Sequence, residues 1–325
     1  LSEQRIEGYR HFMNKIWNAA RFALPYLDGT TRGSSPTSFH SFSLPERWIL
    51  SRLNTTIKEV REALESYRFN DAAQVLYHFT WHEFCDWYIE QAKIPLGGND
   101  PESAERAAVL LRHVLDSIVR LLHPFIPFIT EEIASRIPDN GDTVMKGPFP
   151  TFDESKVDSD AEREMGMLMD VITSVRNIRA DMNIPPSKKL PVVVLPSTRE
   201  DAELLLSNSA TVLFLGRISE LKVEEPGREI QPPRMAATAV VGEVRVFVPL
   251  EGVVDPDAES ARLEKELAKI EKELSAVTKK LSKADFLSKA KSEAVEKQQK
   301  RSSELTAKSE GLKDSLERIR KLVQA

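Results

Sequence analysis

Lys15, Asn18 and Phe22 recur at intervals of three and four, so on a helix a cation, an amide and an aromatic ring share one stripe. Such a stripe can meet phosphate, base edge and base face of a single-stranded nucleic acid. A core ring beside a solvated lysine gives the same pattern, and spacing alone favours that plainer role. A second stripe lies in Trp81-His-Glu-Phe-Cys-Asp-Trp-Tyr-Ile-Glu90, where Asp86, Glu90 and Lys93 fall on one side and Trp87 flanks them. Carboxylates accept from the amino group of cytosine and so discriminate between bases. An aromatic core under a solvated acidic face fits that segment as well.

Other chemistries find no support. The chain has no Gly-rich phosphate loop, no Cys/His metal spacing and no Ser/His/Asp set in a recognisable context. His78 and His82 are four apart with Glu83 beside them, but this is not the His-Glu-x-x-His order of a zinc helix. We read them as ordinary helix histidines and expect no metal. Cys85, the one cysteine, sits among Phe84, Trp87 and Tyr88 and reads as a small buried hydrophobe. A lone cysteine forms no intrachain disulfide and fits a reducing, cytoplasmic setting. No run of about 18 apolar residues is present, so no membrane span is expected.

The net charge of −5 argues against indiscriminate nucleic-acid binding. From Asp255 onward, however, 17 Lys and Arg face 14 Asp and Glu, a net of +3, which leaves −8 for the rest. Polyanion contact in this tail should therefore be local. Leu1-Ser-Glu-Gln-Arg-Ile6 has neither initiator Met nor leader, which reads as a cut inside a longer protein.

The elements that must position these residues are mostly helical. Apolar periodicity predicts helices over residues 1–27, from Pro45 through Leu64, from Ala72 towards Ala92 with Asn70 or Asp71 as cap, and from Pro101 to about Leu122. Gly, Ser, Thr and Pro mark Asp28–Ser43 as a loop. The proline elbow His123-Pro-Phe-Ile-Pro-Phe128 is followed by a short helix starting near Thr130 and ending before Pro138. Long helices with such loops make a bundle. After a connection, another helix spans 161–182 and stops at Asn183-Ile-Pro-Pro186.

The pattern then changes to short β-branched runs. Strands are expected at Leu190–Leu195, Ile218–Val223, Ala236–Val241 and Val244–Pro249, the last two joined by a tight turn at Gly242-Glu243, with a helix over Glu200–Phe214. Beyond Asp255-Pro256, Leu263, Leu267, Ile270, Leu274, Val277 and Leu281 form one heptad seam. Val295, Gln298, Ser302, Leu305, Ser309, Leu312, Leu316, Ile319 and Val323 form a second. The stretch between is long enough only for a reversal, which predicts an antiparallel hairpin about 40 Å long. The fold class is mainly α: a helical bundle over 1–138, a connection and packing helix over 139–187, a small α+β module over 188–254 and an antiparallel coiled coil over 255–325.

The order Gly8-Tyr-Arg-His-Phe-Met-Asn-Lys-Ile-Trp-Asn-Ala-Ala-Arg-Phe22 resembles the first helix of the anticodon-binding domain of valyl-tRNA synthetases. Glu83-Phe-Cys-Asp-Trp-Tyr88, Leu122-His-Pro-Phe-Ile-Pro-Phe128, Arg176-Asn-Ile-Arg179 and Asn183-Ile-Pro-Pro186 follow in that family's order. The proline elbow is shared with the isoleucyl and leucyl enzymes, whereas the Glu-Phe-Cys-Asp-Trp-Tyr segment and the terminal heptads resemble the valyl enzymes. The resemblance implies the C-terminal, tRNA-gripping portion of such an enzyme. Its partner would be valine tRNA, held as a monomer alongside its own catalytic and editing domains. No cofactor is implied here, because ATP and valine would bind the catalytic domain, whose His-Ile-Gly-His and Lys-Met-Ser-Lys-Ser signatures are absent from these 325 residues.

By the same resemblance Lys15, Asn18, Phe22, Asp86, Ile89 and Glu90 face the anticodon, with Phe22 stacking on a base. Arg301, with Lys297 one turn earlier, matches a basic position that touches the tRNA elbow. Lys272 or Lys279 would stand in for an arginine that relatives carry where this chain has Ala276. Position 4 is Gln rather than basic, with Arg5 adjacent. Two other readings compete: a free-standing helical adaptor assembling through its coiled coil, and the same domain from an isoleucyl or leucyl enzyme. Two complementary seams consume each other, which disfavours the first.

Overall fold

In the computed structural model, described over residues 3–30, 42–228, 233, 235–253, 255–282 and 292–324, the chain is mostly helical with one four-stranded mixed sheet. It divides into two compact units, Leu1–Met169 and Asp170–Ala325. None of the described helices is long and apolar enough to cross a membrane.

The first unit is built from α1 (Glu3–Ala23), α2 (Leu44–Glu65), α3 (Phe69–His78), a π-helical segment (Phe79–Tyr88), α4 (Ile89–Leu96), α5 (Pro101–Leu122) and α6 (Pro127–Ala134), and includes the start of α7 (Ser159–Asp181). Ile16, Leu27, Ile49, Leu53, Phe79, Phe84, Tyr88, Leu110, Leu111 and Leu115 fill its centre, each under 2% exposed. α1 packs on the π segment, α5 and α6, and this sets its Lys15–Phe22 stripe beside the aromatic segment. Arg112 of α5, itself buried, donates to the Thr30 and Pro138 carbonyls and so ties down the chain on both sides.

Several boundaries differ from the periodicity. α2 begins at Leu44, because the Glu46 carboxylate accepts from the Ser43 N–H and hydroxyl and closes the first turn ahead of Pro45. The third helix starts at Phe69, after Tyr67 turns at a φ of +57°, and neither Asn70 nor Asp71 caps it. The helix continues past Ala92 to Leu96, taking Pro95 into its last turn. α6 begins at Pro127, and Thr130 lies inside it, buried against the His123 ring and the Ile126 carbonyl. α1 ends at Ala23, followed by a 3₁₀ turn over Leu24–Tyr26.

The largest departure is the π segment. Its N–H groups reach back five residues, as Ile89 N–H does to the Phe84 carbonyl, giving a wider turn than an α-helix. Phe79, Phe84, Tyr88 and the following Ile89 are buried, with Phe84 and Tyr88 stacked at 6.2 Å.

In the second unit the strands β1 (Leu190–Leu195), β2 (Ile218–Val223), β3 (Ala236–Val241) and β4 (Val244–Pro249) order as β2-β1-β4-β3. β1 and β2 run parallel, joined by α8 (Arg199–Ser207) and α9 (Ser209–Gly216); the other pairs are antiparallel. The predicted single helix over Glu200–Phe214 is therefore two, broken at Asn208, whose amide donates back to the Leu204 carbonyl. Gly242 takes the positive φ of 58° that the β3–β4 turn needs. Arg176 and Arg179 of α7 donate to the carbonyls of Leu215, Arg217, Pro185 and Lys188. The Arg-Asn-Ile-Arg and Asn-Ile-Pro-Pro motifs are thus explained by packing.

Beyond the sheet, α10 (Pro256–Leu281) lies along α11 (Ser292–Gln324). Ile270, Val277 and Leu305 form their shared apolar cluster, flanked by Leu274, Leu281 and Leu312. Glu266 meets Lys308 and Glu273 meets Arg301, so the two chain directions oppose. The expected reversal between Ser282 and Ser292 lies outside the described residues at 283–291.

Candidate nucleic-acid interface

The two stripes singled out in the sequence face each other. Lys15 Nζ of α1 lies 2.5 Å from Asp86 Oδ1 in the π segment and 5.1 Å from the Trp81 ring centroid. One helical turn further along this groove, Lys93 Nζ of α4 lies 2.5 Å from Glu90 Oε1 and 5.5 Å from the Phe22 ring centroid. Each lysine is therefore seated between a carboxylate and an aromatic face, and both are roughly one-third exposed. Asn18 is exposed between Lys15 and Phe22 on the same side. The Phe22 ring is half-buried, tilted against Tyr26 at 5.4 Å.

Ile89 departs from this arrangement. It is only 6% exposed and turns into the unit's interior. Asp86 and Glu90 instead meet Lys15 and Lys93, while Ile89 is buried like Phe79 and Phe84. Gln4 and Arg5 have side chains outside the described set.

The groove rests on a fixed floor. Phe12, Tyr77 and Trp81 stack under Lys15 with centroids 5.0, 5.5 and 6.3 Å apart. Asp86 is also approached by His82 Nδ1 at 3.4 Å. Glu83, in the same π segment, accepts both Nε and Nη2 of Arg52 from α2 at 2.8 and 3.1 Å. Arg52 Nη1 donates to Glu162 of α7, and the Glu83 hydrogen bond, aided by the charges of Glu83 and Glu162, holds the guanidinium above its usual pKa against the opposing effect of burial. Burial pushes the Cys85 thiol up to about 12, with the Asp86 charge adding to the rise and Lys15 opposing it. The cysteine is therefore a packed, protonated side chain at neutral pH.

What this surface can do chemically follows from its pairs. An exposed ion pair contributes about 0–1 kcal/mol, and one stacked base about 1–3 kcal/mol. A nucleic acid can thus exchange these pairs for its own contacts at a net gain. The face is charge-balanced, so it offers shape and hydrogen bonding rather than general attraction for polyanions.

On α11, Arg301 is exposed and paired with Glu273 of α10. That hydrogen bond and charge hold the Glu273 carboxyl below its usual range and the guanidinium above its own. The pair is intact at neutral pH and is lost as the pH falls through the lowered Glu273 value. Lys272 and Lys279 of α10 are exposed, and Lys313 of α11 pairs with Glu271 of α10 at 2.9 Å. Lys297 lies within α11, but its side chain is outside the described set.

Two contributors were absent from the sequence reading: Trp81 as the ring under Lys15, and Lys93 as the cation over Phe22.

Residues 46–194 match a family model described as the anticodon-binding domain of tRNA ligase, and residues 255–320 match one described as the valyl tRNA synthetase tRNA binding arm. α1 precedes the first match. A protein called valine–tRNA ligase from Geobacter sulfurreducens is 42% identical over 324 residues, 99% of this chain and 36% of its own length. Others of that name from Bacillus subtilis and Geobacillus stearothermophilus are each 38% identical over 98% and 99% of this chain. The chain spans about a third of the length of these curated relatives.

Proposed function

The chain belongs to the valyl-tRNA synthetase family, carrying its anticodon-binding domain and its tRNA-binding arm, and from that premise we propose that it grips valine tRNA at two places for a valine–tRNA ligase. Residues 1–138 form a helical bundle that reads the anticodon through Lys15, Asn18, Phe22, Asp86 and Glu90, with Ile89 backing them from the core. Residues 139–187 connect and pack, and 188–254 form a linking α+β module. Residues 255–325 form an antiparallel coiled coil whose Arg301, Lys297, Lys272 and Lys279 meet the tRNA elbow. The observation that carries this reading is the face on which α1, the π segment and α4 bring two lysine–carboxylate–ring sets together.

The mechanism is positioning. Anticodon and elbow are held so that the acceptor end reaches a distant active site, where ATP and valine bind in parts of the parent protein outside these 325 residues. The setting is cytoplasmic and the arm monomeric, since its two seams cover each other. The chain alone is inactive. Valine-dependent pyrophosphate exchange by the pure chain, or a stable dimer in sedimentation, contradicts these parts of the reading.

The arm is tested through Arg301. Its contact is with backbone or the shared elbow, which carries little sequence information. Arg301→Ala is expected to weaken valine tRNA and an unrelated tRNA by the same factor and to lower the salt slope by about one phosphate equivalent. Binding titrations across salt concentrations check this. An unchanged slope makes Arg301 only the surface partner of Glu273.

A further inference from the structure

The Phe22 ring and the Glu90 carboxylate, both assigned to the anticodon above, are held in this structure by a single side chain. Lys93 Nζ lies 2.5 Å from Glu90 Oε1 and 5.5 Å from the Phe22 centroid. We propose that Lys93 is the gate of this face and a specificity-determining residue: its ammonium occupies, in the free protein, the place a base takes in the complex. The inference rests on the anticodon reading of the same groove.

Stacked rings place their centroids about 4.5–7 Å apart, and the ammonium at 5.5 Å sits inside that shell. A base on this face of Phe22 and the Lys93 ammonium exclude each other. A base amino group bonding to Glu90 competes with the same cation. The lysine stem is flexible and its head one-third exposed, so the ammonium can swing away to a backbone phosphate. A loop whose bases fit replaces both contacts, through the stack and the carboxylate. A loop whose bases do not fit leaves the gate shut. The gate thus widens the gap between right and wrong anticodons.

Lys15 has similar partners but a different role. Its carboxylate and ring belong to the π segment while it belongs to α1, so it joins two elements. The Lys93 ion pair stays within α4, three residues apart, and its link to α1 is the Phe22 face, the contact that a stacked base replaces.

Lys93→Met removes the ammonium and keeps the apolar stem. The experiment measures affinity of the whole chain for valine tRNA and for the same tRNA with its anticodon bases replaced, with salt slopes and a thermal melt. The altered tRNA is expected to bind about threefold to tenfold more tightly to Lys93→Met, and valine tRNA to change by less than about twofold. Lys93→Arg, which keeps the cation, should preserve discrimination. Equal weakening of both tRNAs with a slope lower by about one makes Lys93 an ordinary phosphate contact and overturns the proposal. No change in either affinity overturns it as well. Phe22→Ala in the same assay separates the two levels. If loss of the ring leaves discrimination intact, the anticodon reading fails. If it removes discrimination and Lys93→Met does not alter it, only the gate fails.

Discussion

Phe22→Ala is expected to weaken binding of valine tRNA by roughly ten- to a hundred-fold while the chain stays folded, because it deletes a stack worth about 1–3 kcal/mol. The ring is half-buried at the end of α1, with Tyr26 on one side and the Lys93 ammonium over its face. It is not among the fully buried side chains that fill the unit. Truncating a core phenylalanine costs about 3–5 kcal/mol of stability. Thermal unfolding and tRNA affinity of the same variant decide between these roles. A large drop in melting temperature with unchanged anticodon preference would make the ring structural and remove it from the interface.

The second large effect is expected at Glu83. It is 8% exposed, takes two hydrogen bonds from Arg52 and a third contact from His78 Nδ1 at 3.2 Å. Removing one partner of a buried pair costs about 3–5 kcal/mol because the other charge is left behind. The Arg52 side chain is 27% exposed and keeps Glu162, so water and that carboxylate absorb part of the loss. Glu83→Ala should then destabilise the first unit by about 2–4 kcal/mol and lower its melting temperature by roughly 5–15 °C. Calorimetry checks the value. A melting temperature within about 2 °C of the parent would show that the pair does not anchor the π segment to α2.

The sequence carried most of this architecture for identifiable reasons. Prolines and glycines punctuate the helices, β-branched runs mark all four strands, and the heptad leucines mark the pairing of α10 and α11. Each described position of the two seams is buried or half-buried. The exceptions have local causes. A helical periodicity search assumes 3.6 residues per turn, and the wider π turns of Phe79–Tyr88 depart from it. The start of the third helix was misplaced because Tyr67, a bulky residue at positive φ, gives no turn signal. The stripes themselves were legible because Lys15, Asn18 and Phe22 lie on a regular α-helix. That they face Asp86, Glu90 and Lys93 was not, since only tertiary packing brings α1 against the π segment.

The central claim is that this chain distinguishes valine tRNA by its anticodon. It is tested most directly by equilibrium binding at one fixed salt concentration, comparing valine tRNA with the same tRNA whose anticodon bases are replaced. The elbow is identical in both, so contacts by the arm cancel. The account predicts that the altered tRNA binds about ten- to a hundred-fold more weakly, retaining only the elbow contribution. Equal affinity for the two would contradict it.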